Sequence, residues 1–338
     1  MKYWHYVIRR LLLLLVVIWG TVTITFLIAR VLPSNPVMLY VGQAQITDPK
    51  VIAQITHQWG LDRPLYVQYI AYFENILTGN LGTSYTSQRA VIIDLQTRMP
   101  ATIELSIFAL IFTLLIAIPV AIVSATHKNS PFDHAGRIFS IAGFSAPSFW
   151  IAIMLLLIFF RELGFVGPGR LSPQFVAPPF VTGMYTIDAL IAGNLPVFFD
   201  AFEHLILPGL TLGLGGSAVT MRLLRSSMLE AINSDYIRTA RMKGLRERVV
   251  IYRHAFRNAL IPMTTYVGLL IGGFLSGAVL TETIFSWNGM GQYTVNAIFA
   301  NDFPALQGVV LFEAFIFAGA NLIVDLAYGI IDPRVRYA

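Results

Sequence analysis

The chain has 338 residues, of which 56% are hydrophobic and only 12% charged, with a net charge of +5 and no cysteine. Water-soluble domains carry about 25% charged residues, so a mean hydropathy of +0.68 places this chain in a membrane. Without cysteine, disulfides, zinc–thiolate sites and iron–sulfur clusters are excluded. The basic balance does not argue for nucleic acid, because in a membrane protein the placement of Lys and Arg matters more than their sum.

Taken in chain order, six apolar runs are long enough to span a bilayer as helices. They are Leu11–Ala29, Ala101–Ser124, Gly136–Phe160, His204–Met221, Ala259–Thr281 and Ala305–Ile330. The first has too long an apolar stretch for a cleaved leader and no small-residue cleavage site after it, so it reads as a retained anchor. The organisation predicted is a basic tail and anchor at 1–30, an extracytoplasmic loop at 31–100, a core of spans two to six at 101–330 with a basic loop at 222–258, and a tail at 331–338.

The loops set the orientation. Lys2, Arg9, Arg10, Lys128, Arg137, the nine basic residues from Arg222 to Arg257, Arg334 and Arg336 fall on one side. The rest, such as Arg30, Lys50, Arg63 and Arg170, are spread over much longer loops on the other. Positive charge stays inside, so both termini and the 222–258 loop are expected in the cytoplasm of a multi-pass protein of the cell membrane. On the outer side, Pro49–Trp59 and Arg63–Leu77 suggest short amphipathic helices. Tyr66, Tyr69, Ile70 and Phe73 are expected to share one face. The loop Arg161–Glu203, rich in Pro, Gly and Phe, reads as irregular but packed. These outer loops suit either a lid or a docking surface.

No phosphate-binding loop, H-E-x-x-H helix or nucleophile elbow occurs, so a catalytic enzyme acting alone is a poor reading. "GLGGS" at 213–217 lies inside a span and reads as helix packing. Few ionisable residues enter the spans: Glu282 at the outer end of the fifth, Glu313 and Asp325 in the sixth. Glu313 is either a pathway residue or an interhelical hydrogen-bonding group. Pro119, Pro147 and Pro208 are expected to bend helices. Glycines four apart, Gly209/Gly213, Gly268/Gly272 and Gly273/Gly277, allow close helix approach. Gly272, Gly273, Ser276, Glu282 and Glu313 are therefore the candidate pathway or gate residues.

Between the fourth and fifth spans stands "SDYIRTARMKGL", Ser234–Leu245. Ser234 or Asn233 can cap a helix, Asp235 suits its positive end, Arg241 and Lys243 its negative end, and Gly244 stops it. So short a helix is unstable alone and must rest on something. Tyr236, Ile237, Ala240 and Gly244 form a small, apolar side on which a partner backbone could come close. The two readings are a helix held on anionic lipid and a helix inserted in a groove of a cytoplasmic protein.

This segment resembles the coupling helix of ABC-importer permeases, whose loop reads approximately E-A-A-x3-G. Ala240 and Gly244 match its Ala and Gly, and Arg238 stands where the Glu would be, as in the dipeptide/oligopeptide branch. The resemblance runs through nearly the whole chain: "GLDRPLYVQY", "GNLGTSY", "RMPATIEL", "LPGLTLGL", "HAFRNALIP", "TETIFSWNGMG" and "VDLAYGIIDPRVR". It is similar to the B-type permease, with a type I importer core. The resemblance implies an ATP-driven importer of di- or oligopeptides. This chain would pair with a sister permease, with two cytoplasmic ATPases that bind ATP and Mg, and with an extracytoplasmic binding protein. The ATPase-contacting residues would be Asp235, Tyr236, Ile237, Arg238, Thr239, Ala240, Arg241, Lys243, Gly244 and Leu245. Relatives for glutathione, nickel and oligosaccharides leave the substrate open. An ion-coupled secondary transporter and a lipid-binding scaffold are the other readings.

Overall fold

A computed structural model describes residues 3–30, 56–57 and 60–331, and within them the side chains of all but 3–6, 264–265, 276–277 and 325–331. The expected helix at Pro49–Trp59 and the basic residues Arg334 and Arg336 lie outside the described residues, as do the side chains of Ser276 and Asp325.

Among the described residues there is no β-strand, only an isolated bridge between Thr83 and Ala90. The helices are α1 (Tyr3–Arg30), α2 (Leu65–Leu77), α3 (Val91–Thr126), α4 (Pro131–Ser145), α5 (Ser148–Leu155), α6 (Tyr185–Ile191), α7 (Leu195–Ile232), α8 (Asp235–Met242), α9 (Arg257–Gly277), α10 (Val279–Ile284), α11 (Met290–Phe299) and α12 (Phe303–Ile331). A π-helical turn, Leu156–Glu162, follows α5, and another, Val250–Phe256, leads into α9.

Among the described residues four helices are long and apolar enough to cross a membrane, and two bent pairs raise the number to six if each counts as one span. The third expected span, Gly136–Phe160, is one of those pairs: α4 and the α5 segment meet at 104°. Pro147 breaks the helix outright instead of bending it. The residue before a proline is pushed out of the helical region, and Ala146 is extended with φ −76° and ψ 126°. The fifth span also bends, by 46°. By contrast α3 and α7 run unbroken through Pro119 and Pro208.

α3 and α7 form the central pair. Gly213 lets them touch: a Cβ there would lie 2.9 Å from Cβ of Phe112 and 3.1 Å from the Ala109 carbonyl oxygen. On α9, Gly268 meets Val324 of α12 and Gly272 meets Phe317. Burial then divides between two ends. At one, Ala121, Met221, Leu224, Met228, Ile237, Ala240, Ala255 and Ala259 form the largest apolar cluster, which joins α3, α7, α8 and α9. At the other, Val91, Leu95, Met290, Tyr293, Ala305 and Val309 join α3, α11 and α12. The basic segment expected as a loop at 222–258 is therefore largely helical, because α7 continues to Ile232. Along α1 the residues Leu11 to Trp19 stay mostly exposed, the surface of a helix that faces hydrocarbon.

α2 confirms the helix expected at Arg63–Leu77 but not its single aromatic face. Tyr69 packs on Phe26 with ring centres 5.1 Å apart, and its hydroxyl bonds Thr23 at 2.8 Å. Tyr66 and Ile70 point outward, 69% and 54% exposed, while the polar Gln68 is buried.

Candidate functional site: a basic helix, an apolar cleft and a buried polar clamp

α8 is an eight-residue helix at the end that carries the largest apolar cluster. Ser234 takes the capping position, but its hydroxyl donates to the Ala231 carbonyl at 2.5 Å instead of accepting from the helix. Ile237 and Ala240 are buried and join the cluster with Met228 and Ala255. The small side read from the sequence thus faces this chain's own core. The expectation that Ala240 admits a partner backbone is corrected accordingly. At Gly244 a Cβ would meet nothing of this chain within 4 Å. Glycine is needed because φ is +74°, a left-handed conformation that L side chains resist. The turn lets the Leu245 amide reach the Ala240 carbonyl, a helix-ending arrangement.

What remains outward is Asp235, Tyr236, Arg238, Thr239, Arg241, Met242, Lys243 and Leu245. Arg241 grips Glu247 at 2.7 and 3.2 Å, which fixes α8 to the following turn. Met242, 74% exposed, was not singled out in the sequence; a methionine between two cations is its only signal.

A cleft of about 440 Å³ opens beside α7 and α9. Ser148, Ile151, Thr211, Gly215, Gly216, Tyr266, Leu269, Gly273 and Phe274 are among its walls. Among these described residues none is charged. Of the candidate pathway residues whose side chains are described, only Gly273 lines it. Gly272 packs on Phe317, Glu282 is buried elsewhere, and Glu313 is half-buried on α12. A Cβ on Gly273 would meet nothing within 4 Å.

At the end opposite α8, a buried polar clamp closes the bundle. Glu282 is fully buried and accepts from the Thr102 hydroxyl at 2.6 Å and the Gln292 amide at 3.2 Å. Thr102 in turn accepts from the Met290 amide at 2.9 Å. Gly289 makes room: a Cβ there would sit 2.5 Å from Glu282 Oε2 and 2.6 Å from Thr102 Oγ1. Burial pushes the Glu282 carboxyl above the usual carboxylate range, against the pull of these hydrogen bonds and of Arg170. Two residues along α3, Glu104 accepts from Thr186 through its amide (2.8 Å) and hydroxyl (2.7 Å), and from Arg170 at 2.8 Å. Arg170 lies 3.5 Å from the Tyr185 ring centre, a favourable cation–π contact. Burial opposes charge on Asp188, but donors at Thr182, Val181 and Gly183 outweigh it and hold its carboxyl below the usual range. The loop expected to be irregular but packed is tied down in this way. Glu104, Arg170 and Asp188 were missed as a group because their partners lie up to 82 residues apart.

No group of His, Cys, Asp or Glu able to hold a metal occurs among the described residues. The arrangement is that of a multi-pass membrane protein with an uncharged cleft, a clamp at one end and an exposed basic helix at the other. The chain belongs to the family described as binding-protein-dependent transport system inner membrane component, which it matches over residues 117–337. The N-terminal part of such membrane components matches over residues 3–107. It is a permease subunit of the ABC-transporter class and not an enzyme by itself.

It is 44% identical to the dipeptide transport system permease protein DppB of Alkalihalophilus pseudofirmus, over 98% of this chain and 99% of the relative. It is 42% identical to the dipeptide transport system permease protein DppB of Haemophilus influenzae, over 98% and 99%. It is 41% identical to the di/tripeptide transport system permease protein DppB of Pseudomonas aeruginosa, over 98% of each chain. The family is an inner-membrane component of a binding-protein-dependent system, so a binding protein and an ATPase belong with it.

Proposed function

We propose that this chain and a sister permease form the pathway of an ATP-driven importer of di- and oligopeptides. The names of its relatives support the substrate class. The observation that carries the mechanism is α8: one face buried in the chain's own core, the other free and basic.

In this reading α8 is the coupling helix, and Asp235, Tyr236, Arg238, Thr239, Arg241, Met242, Lys243 and Leu245 touch an ATPase. Ile237 and Ala240 anchor the helix from within, and Gly244 shapes its end. The two ATPases hold ATP and Mg. Both termini and the 222–258 segment are cytoplasmic, and the clamp lies outside, where the 31–100 and 161–203 segments receive the binding protein. The uncharged cleft, with Gly273 and Tyr266, becomes half of the pathway when the sister permease closes its open side.

The lever follows from packing. ATP binding closes the ATPase pair and moves α8. Ile237 and Ala240 share a cluster with Met228 and Ala259, so the push reaches α7 and α9 together. α7 is continuous for 38 residues, so a displacement at its α8 end is felt at the cleft and the clamp. ATP must bind the two states unequally for this to drive a switch.

The experiment is uptake of a labelled dipeptide by proteoliposomes that hold the whole transporter, with binding protein supplied. The expected result is uptake that needs ATP and is indifferent to ionophores. Uptake abolished by ionophores at constant ATP would make the chain an ion-coupled transporter instead.

A further inference from the structure

Residues 60–81 build a second polar cavity, away from the cleft. Gly60 turns with φ +58°, and a Cβ there would lie 3.4 Å from Cδ of Arg63, so Arg63 folds back over the turn. The cavity, about 140 Å³, lies between the end of α1, the inner side of α2 and the first turns of α12. Its described lining includes Arg30, Arg63 and His57 and no carboxylate. Nearby Asp62 is engaged with His57 at 3.3 Å. Gln68 donates through Nε2 to the carbonyls of Leu61 (3.3 Å) and Arg63 (2.7 Å). That fixes the amide and leaves its buried Oε1 without a protein partner. On α12, Gln307 donates to the Tyr72 hydroxyl at 2.6 Å, which bonds Thr25 of α1 at 3.2 Å. The wall is therefore braced across three helices.

The remaining lining is apolar, with Val67, Ala71, Leu81 and Leu311. A site with cations at one part and hydrocarbon at another suits an amphiphile, not a bare ion. α2 also turns Leu65, Tyr66, Ile70 and Leu77 outward, all more than half exposed. Such a face suits hydrocarbon as well as a protein partner, and lipid on it would reach the helix that lines the cavity. Arg63 is exposed at this surface and guanidinium–phosphate pairs are strong.

We propose that this cavity is a phospholipid headgroup site that clasps α1 to the body of the permease, with the phosphate on Arg63. The start of the acyl region rests on Ala71 and Leu311. The site does not depend on which leaflet it faces.

The test is native mass spectrometry of the assembled transporter released from increasingly delipidating detergent. The wild type is expected to keep one phospholipid on this chain after the others have gone. Arg63→Gln lowers its retention about tenfold, the factor that corresponds to 1.4 kcal/mol, and Arg63→Lys restores much of it. Ala71→Leu, which fills the apolar part and leaves the charges alone, lowers it as well. No retained lipid, or equal retention in Arg63→Gln, overturns the proposal. So does an adduct of inorganic phosphate alone, indifferent to Ala71→Leu. If Arg63→Gln fails to assemble, the wild type and Ala71→Leu decide by melting temperature. Added short-chain phosphatidylglycerol must raise it in the delipidated wild type and less in Ala71→Leu, and an equal or absent rise contradicts the site.

Discussion

Arg225 of α7 holds Asp133 of α4 in a two-pronged grip, Nε to Oδ1 at 2.6 Å and the second guanidinium nitrogen to Oδ2 at 2.8 Å. Asp133 also accepts from the Asn129 amide at 3.0 Å. Ser130 caps the same helix start by accepting from the Asp133 amide at 3.2 Å. Removing the arginine leaves a carboxylate with no exposed surface to the Asn129 amide and the longer ion pair with Arg137 at 3.9 Å. Arg225→Met is expected to cost about 1–3 kcal/mol, read as a lower melting temperature in detergent. The double change to Arg225→Met and Asp133→Leu should recover part of the loss.

The two faces of α8 separate stability from coupling. Ala240→Glu buries a charge in the chain's own cluster, so both melting temperature and uptake should fall. Arg238→Glu and Met242→Asp sit on the free face and should lower ATPase co-purification and uptake at unchanged melting temperature. An Arg238→Glu, Met242→Asp double variant that keeps full uptake would remove α8 from the coupling route.

Gly244 makes a different prediction. Asparagine tolerates a positive φ, so Gly244→Asn should retain most uptake, while Gly244→Val should cost about 1–2 kcal/mol locally. Uptake and protease sensitivity near Lys243 read this out. Equal behaviour of the two variants would contradict the conformational explanation.

Neighbouring glycines on α9 should behave oppositely. Gly273→Phe projects into open cleft, so the transporter should assemble and uptake should drop more than about tenfold. Gly272→Phe collides with Phe317 and should lower assembly itself. Size-exclusion profiles together with uptake distinguish the two.

Glu282 gives a pH dependence whose sign is set by its raised carboxyl. The folded chain holds this proton more tightly than the unfolded chain does. Stability on its account is therefore full below the ordinary carboxylate value of 4.5 and declines as pH rises from there toward the folded value. Glu282→Gln should flatten that limb of the melting-temperature profile, and an unchanged profile would mean that the carboxyl is ionised in place.

Four of the spans, the outer helix at Leu65–Leu77 and the short basic helix were legible in the sequence. Each is written locally, in runs of apolar residues, helical spacing or caps. The break at Ala146 was not, because a proline inside an apolar run is compatible with a kink as much as with a corner. The clamp was not legible either: Thr102 and Glu282 are 180 residues apart, and the two segments that hold them do not say that they meet. Gly244 was recognised as a helix stop, and its left-handed backbone angle is the reason for glycine there. Ala240 shows a further limit, since helical spacing defines a small face without saying which neighbour covers it.

The most direct measurement uses the absence of cysteine from the chain. A Met242→Cys variant carries one thiol, at the most exposed apolar position of α8. Labelled with a short photo-crosslinker in the assembled transporter and illuminated, it should join this chain to an ATPase subunit, with a yield that changes when ATP is bound. A yield confined to lipid, with no ATPase adduct in an assembly that transports, would contradict α8 as the coupling element.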